Sequence, residues 1–276
     1  MAVELTVQDS IADIVLNRPD KRNAMTQAMY HQLADAFAYV RDDEAIRVAV
    51  LRGSTPEAFC AGADLTEAAP GLTEGHFDIS EWDGAHLKNM NLFKPVIAAV
   101  DGYCLGGGLE IMLGTDIRIA ASTAVFGLPE AGVGLVPAGG TLTRLVRQIP
   151  YAHAMDLLLT GRRIDAAEAY AIGLISTVVD PADLVATAHN KAAALAQLSQ
   201  QSLRVIKESV LRLSDLPLSA ALHAEAVYGQ KAFLGKEAAE GLAAFSENRP
   251  PNFGTPSPGR WAPALRQGAG TEMKNS

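Results

Sequence analysis

The sequence predicts an α/β protein on two observations. Through the first two-thirds of the chain, short apolar runs alternate with segments whose apolar residues recur at helical spacing. Residues 150–247 are then helical in pattern almost throughout. Such alternation predicts parallel strands covered by helices.

Residues 3–7 and 11–16 flank Asp9 and Ser10 and read as a β-hairpin. Pro19 stops the second strand. A helix follows, with Asn23 or Thr26 as its N-cap, and Met29, Leu33, Phe37 and Val40 form its apolar face. Residues 46–52 read as a buried strand ending at Gly53, and residues 95–100 as another, entered after a helix around 87–93. A third strand covers 117–121. In the helical last third, Gly161, Gly173, Pro181, Pro217 and Gly235 are the breaks, and 174–179 reads as a strand. Helices that leave the core with apolar stripes often pack on another subunit. From Pro250 on the chain is rich in Pro, Gly and Ser, the composition of a loosely attached tail.

Composition narrows the function. The 276 residues are 49% hydrophobic and 20% charged, with a formal charge of −8. An acidic chain is a poor match for nucleic acid, which requires a basic face. Arg18, Lys21 and Arg22 form one local basic cluster, readable as a solvated turn or as a contact for an anionic ligand. No apolar run reaches the roughly 18 residues of a membrane span, and the first residues do not read as a secretory signal. Cys60 and Cys104 form no CxxC pair, so buried free thiols and a cytoplasmic location are expected. The six histidines are scattered without metal spacing and read as surface or capping residues. No GxSxG elbow is present.

The chemistry concentrates in three segments. In the first, an apolar strand runs into Gly106-Gly107-Gly108 and then into a helix carrying Glu110. Exposed N–H groups at a helix start can hold an anion or a developing oxyanion, although tight helix–strand packing also explains a glycine triplet. Glu110 sits among apolar residues; burial would raise its pKa and make it an acid–base candidate, whereas a solvent-facing position would not. In the second, Glu130 is the only charge of a glycine- and proline-rich loop that reads as rigid and tucked inward. Two lone carboxylates in such surroundings suit general acid–base work. In the third, residues 58–65, small side chains expose the backbone, and the Ala63 N–H is a second candidate oxyanion donor or part of a packed turn.

Together these segments resemble the enoyl-CoA hydratase/isomerase superfamily, the crotonase family, over roughly residues 5–253. The resemblance rests on LNRP at 16–19, FCAGAD at 59–64, KPVIAAV at 94–100, GGGLE at 106–110, FGLPE at 126–130 and PAGGT at 137–141. It implies a core of repeated ββα units wound into a spiral over 1–198. It also implies a helical region over 199–253 that drives trimerisation; residues 254–276, beyond the resemblance, are read from their composition as a disordered tail. Trimers, or dimers of trimers, are implied.

The spiral would bind a coenzyme A thioester. Ala63 and Gly107 match the backbone donors of the oxyanion hole. Ala61 matches the adenine contact and Arg22 the phosphate segment; Ala24, Asp64, Phe245 and Arg249 complete the implied CoA-binding set. Asn248 departs from a family lysine that reaches CoA phosphate, with Arg249 as a substitute, and Gly235 stands where Ser or Thr is common. Leu65, Trp82, Leu87 and Met90 are acyl-pocket candidates, each also readable as core.

Hydratases in the family carry both glutamates, whereas many isomerases keep only the second. The expectation is hydration of a 2-enoyl-CoA to a 3-hydroxyacyl-CoA, with Glu110 activating water and Glu130 protonating C2. No metal or redox cofactor is implied, because coenzyme A is part of the substrate. A Δ3-Δ2 isomerase, a dehydratase of a specialised acyl-CoA, and a non-catalytic acyl-CoA-binding protein are the competing readings.

Overall fold

The computed structural model describes residues 1–254. β1 (Val3–Gln8) and β2 (Ile11–Leu16) form the hairpin, closed by Asp9 at φ 49° and Ser10 at φ 68°. Two consecutive residues of positive φ give a tight turn whose twist suits the flanking strands.

The N-cap of α1 (Gln27–Asp42) is Thr26, whose hydroxyl accepts from the Met29 N–H. Asn23 is buried and serves differently. Its Oδ1 accepts the Arg18 N–H at 2.9 Å, and its Nδ2 donates to the Ala58 and Phe59 carbonyls at 2.8 and 3.3 Å. Asn23 thereby ties the turn before α1 to the strand that enters the 60–64 loop. Asn23→Ala is expected to cost about 2–3 kcal/mol, since it strands buried backbone groups. A urea midpoint equal to that of the parent would contradict this.

Three strand–strand–helix units follow. β3 (Val48–Gly53) and β4 (Ala58–Cys60) lead into α2 (Leu65–Glu74). β5 (Val96–Val100) and β6 (Tyr103–Leu105) lead into α3 (Gly107–Leu113). β7 (Ile117–Ala121) and β8 (Val125–Gly127) lead through a 3-10 turn at Pro129–Val133 into α4 (Thr141–Gln148) and α5 (Tyr151–Thr160). The chain ends with β9 (Arg163–Asp165), α6 (Ala166–Ala171), β10 (Thr177–Val179), α7 (Leu184–Ala196), α8 (Gln200–Leu213), α9 (Leu218–Phe233) and α10 (Lys236–Ser246).

Each unit places its first strand in a six-stranded sheet, ordered β1-β2-β3-β5-β7-β10, and its second in a four-stranded sheet, ordered β4-β6-β8-β9. Pairing is parallel apart from β1–β2 and β8–β9. Repeating this step from sheet to sheet winds the chain into a spiral of ββα units. The second sheet was not legible in the sequence because its strands have three residues each, too short to show a period.

The central strands of the larger sheet are buried on both faces, which is why they read as continuous apolar runs. Ala49, Leu51, Ala98 and Ala120 face the main core with Leu33 and Phe37 of α1. Val48, Val50, Ile97, Ala99 and Ile119 face α7, which meets them with Leu184, Ala188, Ala192 and Ala196. Small residues four apart on α7 let the helix approach the sheet closely.

Several expectations need correction. Residues 87–93 form no helix: Leu87, Asn89 and Asn91 have φ of 54°, 55° and 50°, the left-handed region that ends a helix. The helix of this region is α2, with Pro70 inside it. The strand expected at 46–52 starts at Val48, and that expected at 174–179 shrinks to Thr177–Val179. The 254–276 tail lies, apart from Gly254, outside the described residues.

Candidate active site

Three loops at the ends of the short strands converge. Met25 pairs with Ala63 in an isolated parallel bridge: the Met25 N–H donates to the Gly62 carbonyl and the Asp64 N–H to the Met25 carbonyl, each at 2.8 Å. This fixes both neighbours of Ala63 while its own N–H takes no part in the bridge. Gly62, at φ 107°, abuts the second loop; a Cβ there would stand 3.5 Å from the Gly107 nitrogen.

The glycine triplet is packed on every side. A Cβ on Gly106 would approach Glu130 Oε1 at 3.0 Å, one on Gly107 would meet the Tyr30 hydroxyl at 2.6 Å, and one on Gly108 the Cys60 carbonyl at 2.4 Å. Gly107 opens α3, so its N–H precedes the first helical bond. A Cβ on Gly107 would lie 3.4 Å from the Ala63 nitrogen, which puts the two candidate donors side by side.

Glu110, one turn into α3, is 5% exposed. Its Oε1 accepts the Gly139 N–H at 2.6 Å, and its Oε2 lies 3.9 Å from His86 Nε2. Burial, and next the negative charge of Glu130, push its pKa up to about 7 against the opposing Gly139 N–H. Glu130 is half-buried on the 3-10 turn, and burial raises its pKa too. Both carboxyls thus lie above the ordinary carboxylate range, and side by side they suit general acid–base work.

His86 is fully buried, against the expectation that the histidines are surface or capping residues. Its Nδ1 lies 3.0 Å from the Trp82 carbonyl. A carbonyl only accepts, so Nδ1 carries the proton and Nε2 presents a lone pair toward Glu110. Burial lowers its pKa to about 4 and keeps the ring neutral. Arg144 of α4 holds this segment by donating to the His86 and Leu87 carbonyls at 2.6 and 3.0 Å. Among the described residues, four buried polar atoms at the site have no hydrogen-bond partner: the Tyr30 hydroxyl, His86 Nε2, Glu130 Oε2 and Thr141 Oγ1. Beside them an open cavity is lined by Met25, Gln27, Asp64, Ala68, Phe77 and Trp82.

The profile of the enoyl-CoA hydratase/isomerase family matches residues 6–256. The chain belongs to this family. Among its relatives, enoyl-CoA hydratase EchA19 of Mycobacterium tuberculosis is 42% identical over 245 residues, covering 87% of this chain and 91% of the relative. The (E)-benzylidenesuccinyl-CoA hydratase of Thauera aromatica is 38% identical, covering 92% and 99%. Carnitinyl-CoA dehydratase of Proteus mirabilis is 35% identical, covering 91% and 98%. The crystal structure of enoyl-CoA hydratase from Bacillus anthracis superposes with a TM-score of 0.85 at 32% identity, covering 93% of this chain and all of that one.

Of the residues singled out in the sequence, Ala63, Gly107, Glu110 and Glu130 come together as described. Arg22, Ala24, Ala61 and Asp64 join them at one edge. The Ala61 N–H donates to the Arg22 carbonyl at 3.0 Å, and Arg18 bridges the Ala24 carbonyl at 3.0 Å and Asp64 at 2.7 Å. The Thr66 hydroxyl, and next Arg18, hold the Asp64 carboxyl down at about 2. Asp64 is also the N-cap of α2.

Phe245 and Arg249 stand apart, at the end of α10. Phe245 is 84% exposed, and Arg249 pairs with Glu240 and Glu247, each at 2.6 Å. Its charge is thus already engaged within the chain. Trp82 is buried, Leu87 and Met90 are half-buried against the core, and Leu65 is exposed at the start of α2. The loop carrying Glu130 is less inward than expected: Ala131 to Gly134 are exposed, and beyond them Pro137, Gly139 and Thr141 are buried.

Tyr30, His86 and Gly139 went unread as site residues. Tyr30 lies next to the apolar stripe of α1, His86 carries no motif, and the second glycine loop drew attention only to Glu130.

Proposed function

We infer that this protein is an enoyl-CoA hydratase, adding water reversibly and syn across the C2=C3 bond of a 2-enoyl-CoA thioester. The supporting observation is the pairing of Glu110 and Glu130, both with raised pKa, beside the adjacent Ala63 and Gly107 N–H groups. The two N–H groups hold the thioester oxygen. Glu110 takes a proton from water as the water oxygen bonds to C3. The π electrons move onto the thioester oxygen, and the enolate collapses as Glu130 delivers a proton to C2. Removing one donor from such an oxyanion hole costs about 3–4 kcal/mol of barrier.

No cofactor is required beyond the coenzyme A that the substrate carries. Arg22, Ala24, Ala61 and Asp64 serve its binding; Phe245 and Arg249 do so only from the far end of α10. The cavity beside Trp82 takes the acyl chain. The exposed apolar residues of α8 to α10, among them Leu218, Phe233, Leu234 and Leu242, are suited to a subunit contact in a trimer. The two free buried thiols accord with a cytoplasmic setting.

The test is loss of the near-ultraviolet absorbance of the conjugated thioester with crotonyl-CoA and a panel of longer and branched 2-enoyl-CoA esters. No loss with any of them sinks the reading. Conversion of a 3-enoyl-CoA to the conjugated ester, without hydration, would replace it with isomerisation.

The acid limb of kcat/KM is expected near pH 7, with activity falling as pH drops and Glu110 loses its base form. Stability moves the other way. The folded-state pKa of Glu110 lies above its ordinary 4.5, so the folded protein binds the extra proton and gains stability as pH falls from 7 toward 4.5. Parallel rate and melting profiles across this range check both signs.

A further inference from the structure

We propose that the phenol of Tyr30 is a third hydrogen-bond donor at the reacting centre, directed to the thioester oxygen that Ala63 and Gly107 also hold. The proposal deepens the hydratase reading and rests on it. Tyr30 is fully buried, and its hydroxyl has no partner among the described residues. A buried hydroxyl is rarely left so unless something absent from the chain completes it.

Its position identifies that partner. A Cβ on Gly107 would stand 2.6 Å from the hydroxyl oxygen and 3.4 Å from the Ala63 nitrogen, so the phenol shares one small space with both oxyanion donors. Burial, together with the negative charges of Glu110 and Glu130, raises its pKa well above the ordinary value, which keeps it a donor. The ring is held in place: it stacks on Trp82 with centroids 4.0 Å apart and planes 10° from parallel, and Trp82 Nε1 donates to Gln27 Oε1 at 3.2 Å. An oriented donor adds most where negative charge develops, here the enolate oxygen formed as water attacks C3. Addition of water to an alkene conjugated with the thioester thereby gains a contact that strengthens between the substrate's ground state and the transition state.

The experiment is Tyr30→Phe in the full chain, which removes only the hydroxyl and leaves the stack on Trp82. With crotonyl-CoA, kcat is expected to fall about 30-fold while KM stays within about twofold. An enolate absorbance of bound acetoacetyl-CoA is expected in the parent protein and should weaken in the variant. An unchanged melting temperature separates this from a packing defect. Unchanged kcat and an unchanged enolate band would overturn the proposal. If the parent hydrates no enoyl-CoA yet forms an enolate band that Tyr30→Phe weakens, the hydratase reading fails and the donor role of Tyr30 stands.

Discussion

Replacing Glu110 by glutamine is expected to lower kcat for enoyl-CoA hydration about 1,000-fold with the fold intact. Glutamine matches the carboxylate in shape, and its Oε1 can still accept the Gly139 N–H now bound at 2.6 Å. Its amide nitrogen would occupy the place of Oε2, 3.9 Å from the His86 Nε2 lone pair, and offers that lone pair a proton where the carboxylate offers charge. The buried negative charge disappears as well, so the melting temperature at pH 8 should hold or rise. What is lost is the proton acceptor. Glu130→Gln should cut the rate comparably by removing the proton for C2. The double variant should fall little below either single one, because both groups act in one addition. Steady-state rates of the three variants decide the matter, and single variants with the parental rate would refute the acid–base assignment.

Gly139→Ala is expected to damage both activity and stability through one methyl group. Its Cβ would lie 2.5 Å from His86 Nε2, 2.7 Å from His86 Cδ2 and 2.8 Å from Glu110 Oε2. Neither neighbour is the loose end of a long chain. His86 is held by the Trp82 carbonyl and Glu110 by Gly139 itself, so relief displaces the catalytic carboxylate. Overpacking of this kind costs about 1–3 kcal/mol, and a misplaced base about 100-fold in kcat. Gly132, on the same loop, has nothing within 4 Å of its would-be Cβ, so Gly132→Ala is the matched control. Equal rates and melting temperatures for the two variants would show that Gly139 does not shape the site.

The two glutamates were legible because a charge is conspicuous in an apolar, glycine-rich run. Their roles were not, since the same pattern fits a carboxylate on an outer helix face. Only burial and the nearby second charge, working against the Gly139 N–H, turn Glu110 into a group that titrates near pH 7. Tyr30 illustrates the opposite case. It follows Met29 on α1 with no local feature to distinguish it from a core aromatic, and its hydroxyl acquires meaning from Gly107, far along the chain. His86 precedes a stretch whose spacing imitates a helix, and its ring is buried against Tyr30 and Gly139, neither of them near it in the chain.

The alternation of strands and helices, the burial of the central strands and the places where backbone is left uncovered were all readable from the amino-acid order. Those are properties of short windows: apolar periodicity, proline stops and glycine clusters act on their neighbours. Which segments meet was decided by the tertiary structure. Strands of three residues assemble a second sheet only because the first sheet holds them in register, and that sheet brings Ala63, Gly107, Glu110, Glu130 and Tyr30 into one space. The chemistry depends on distances across that space and on the water excluded from it, neither of which a local stretch of chain can encode.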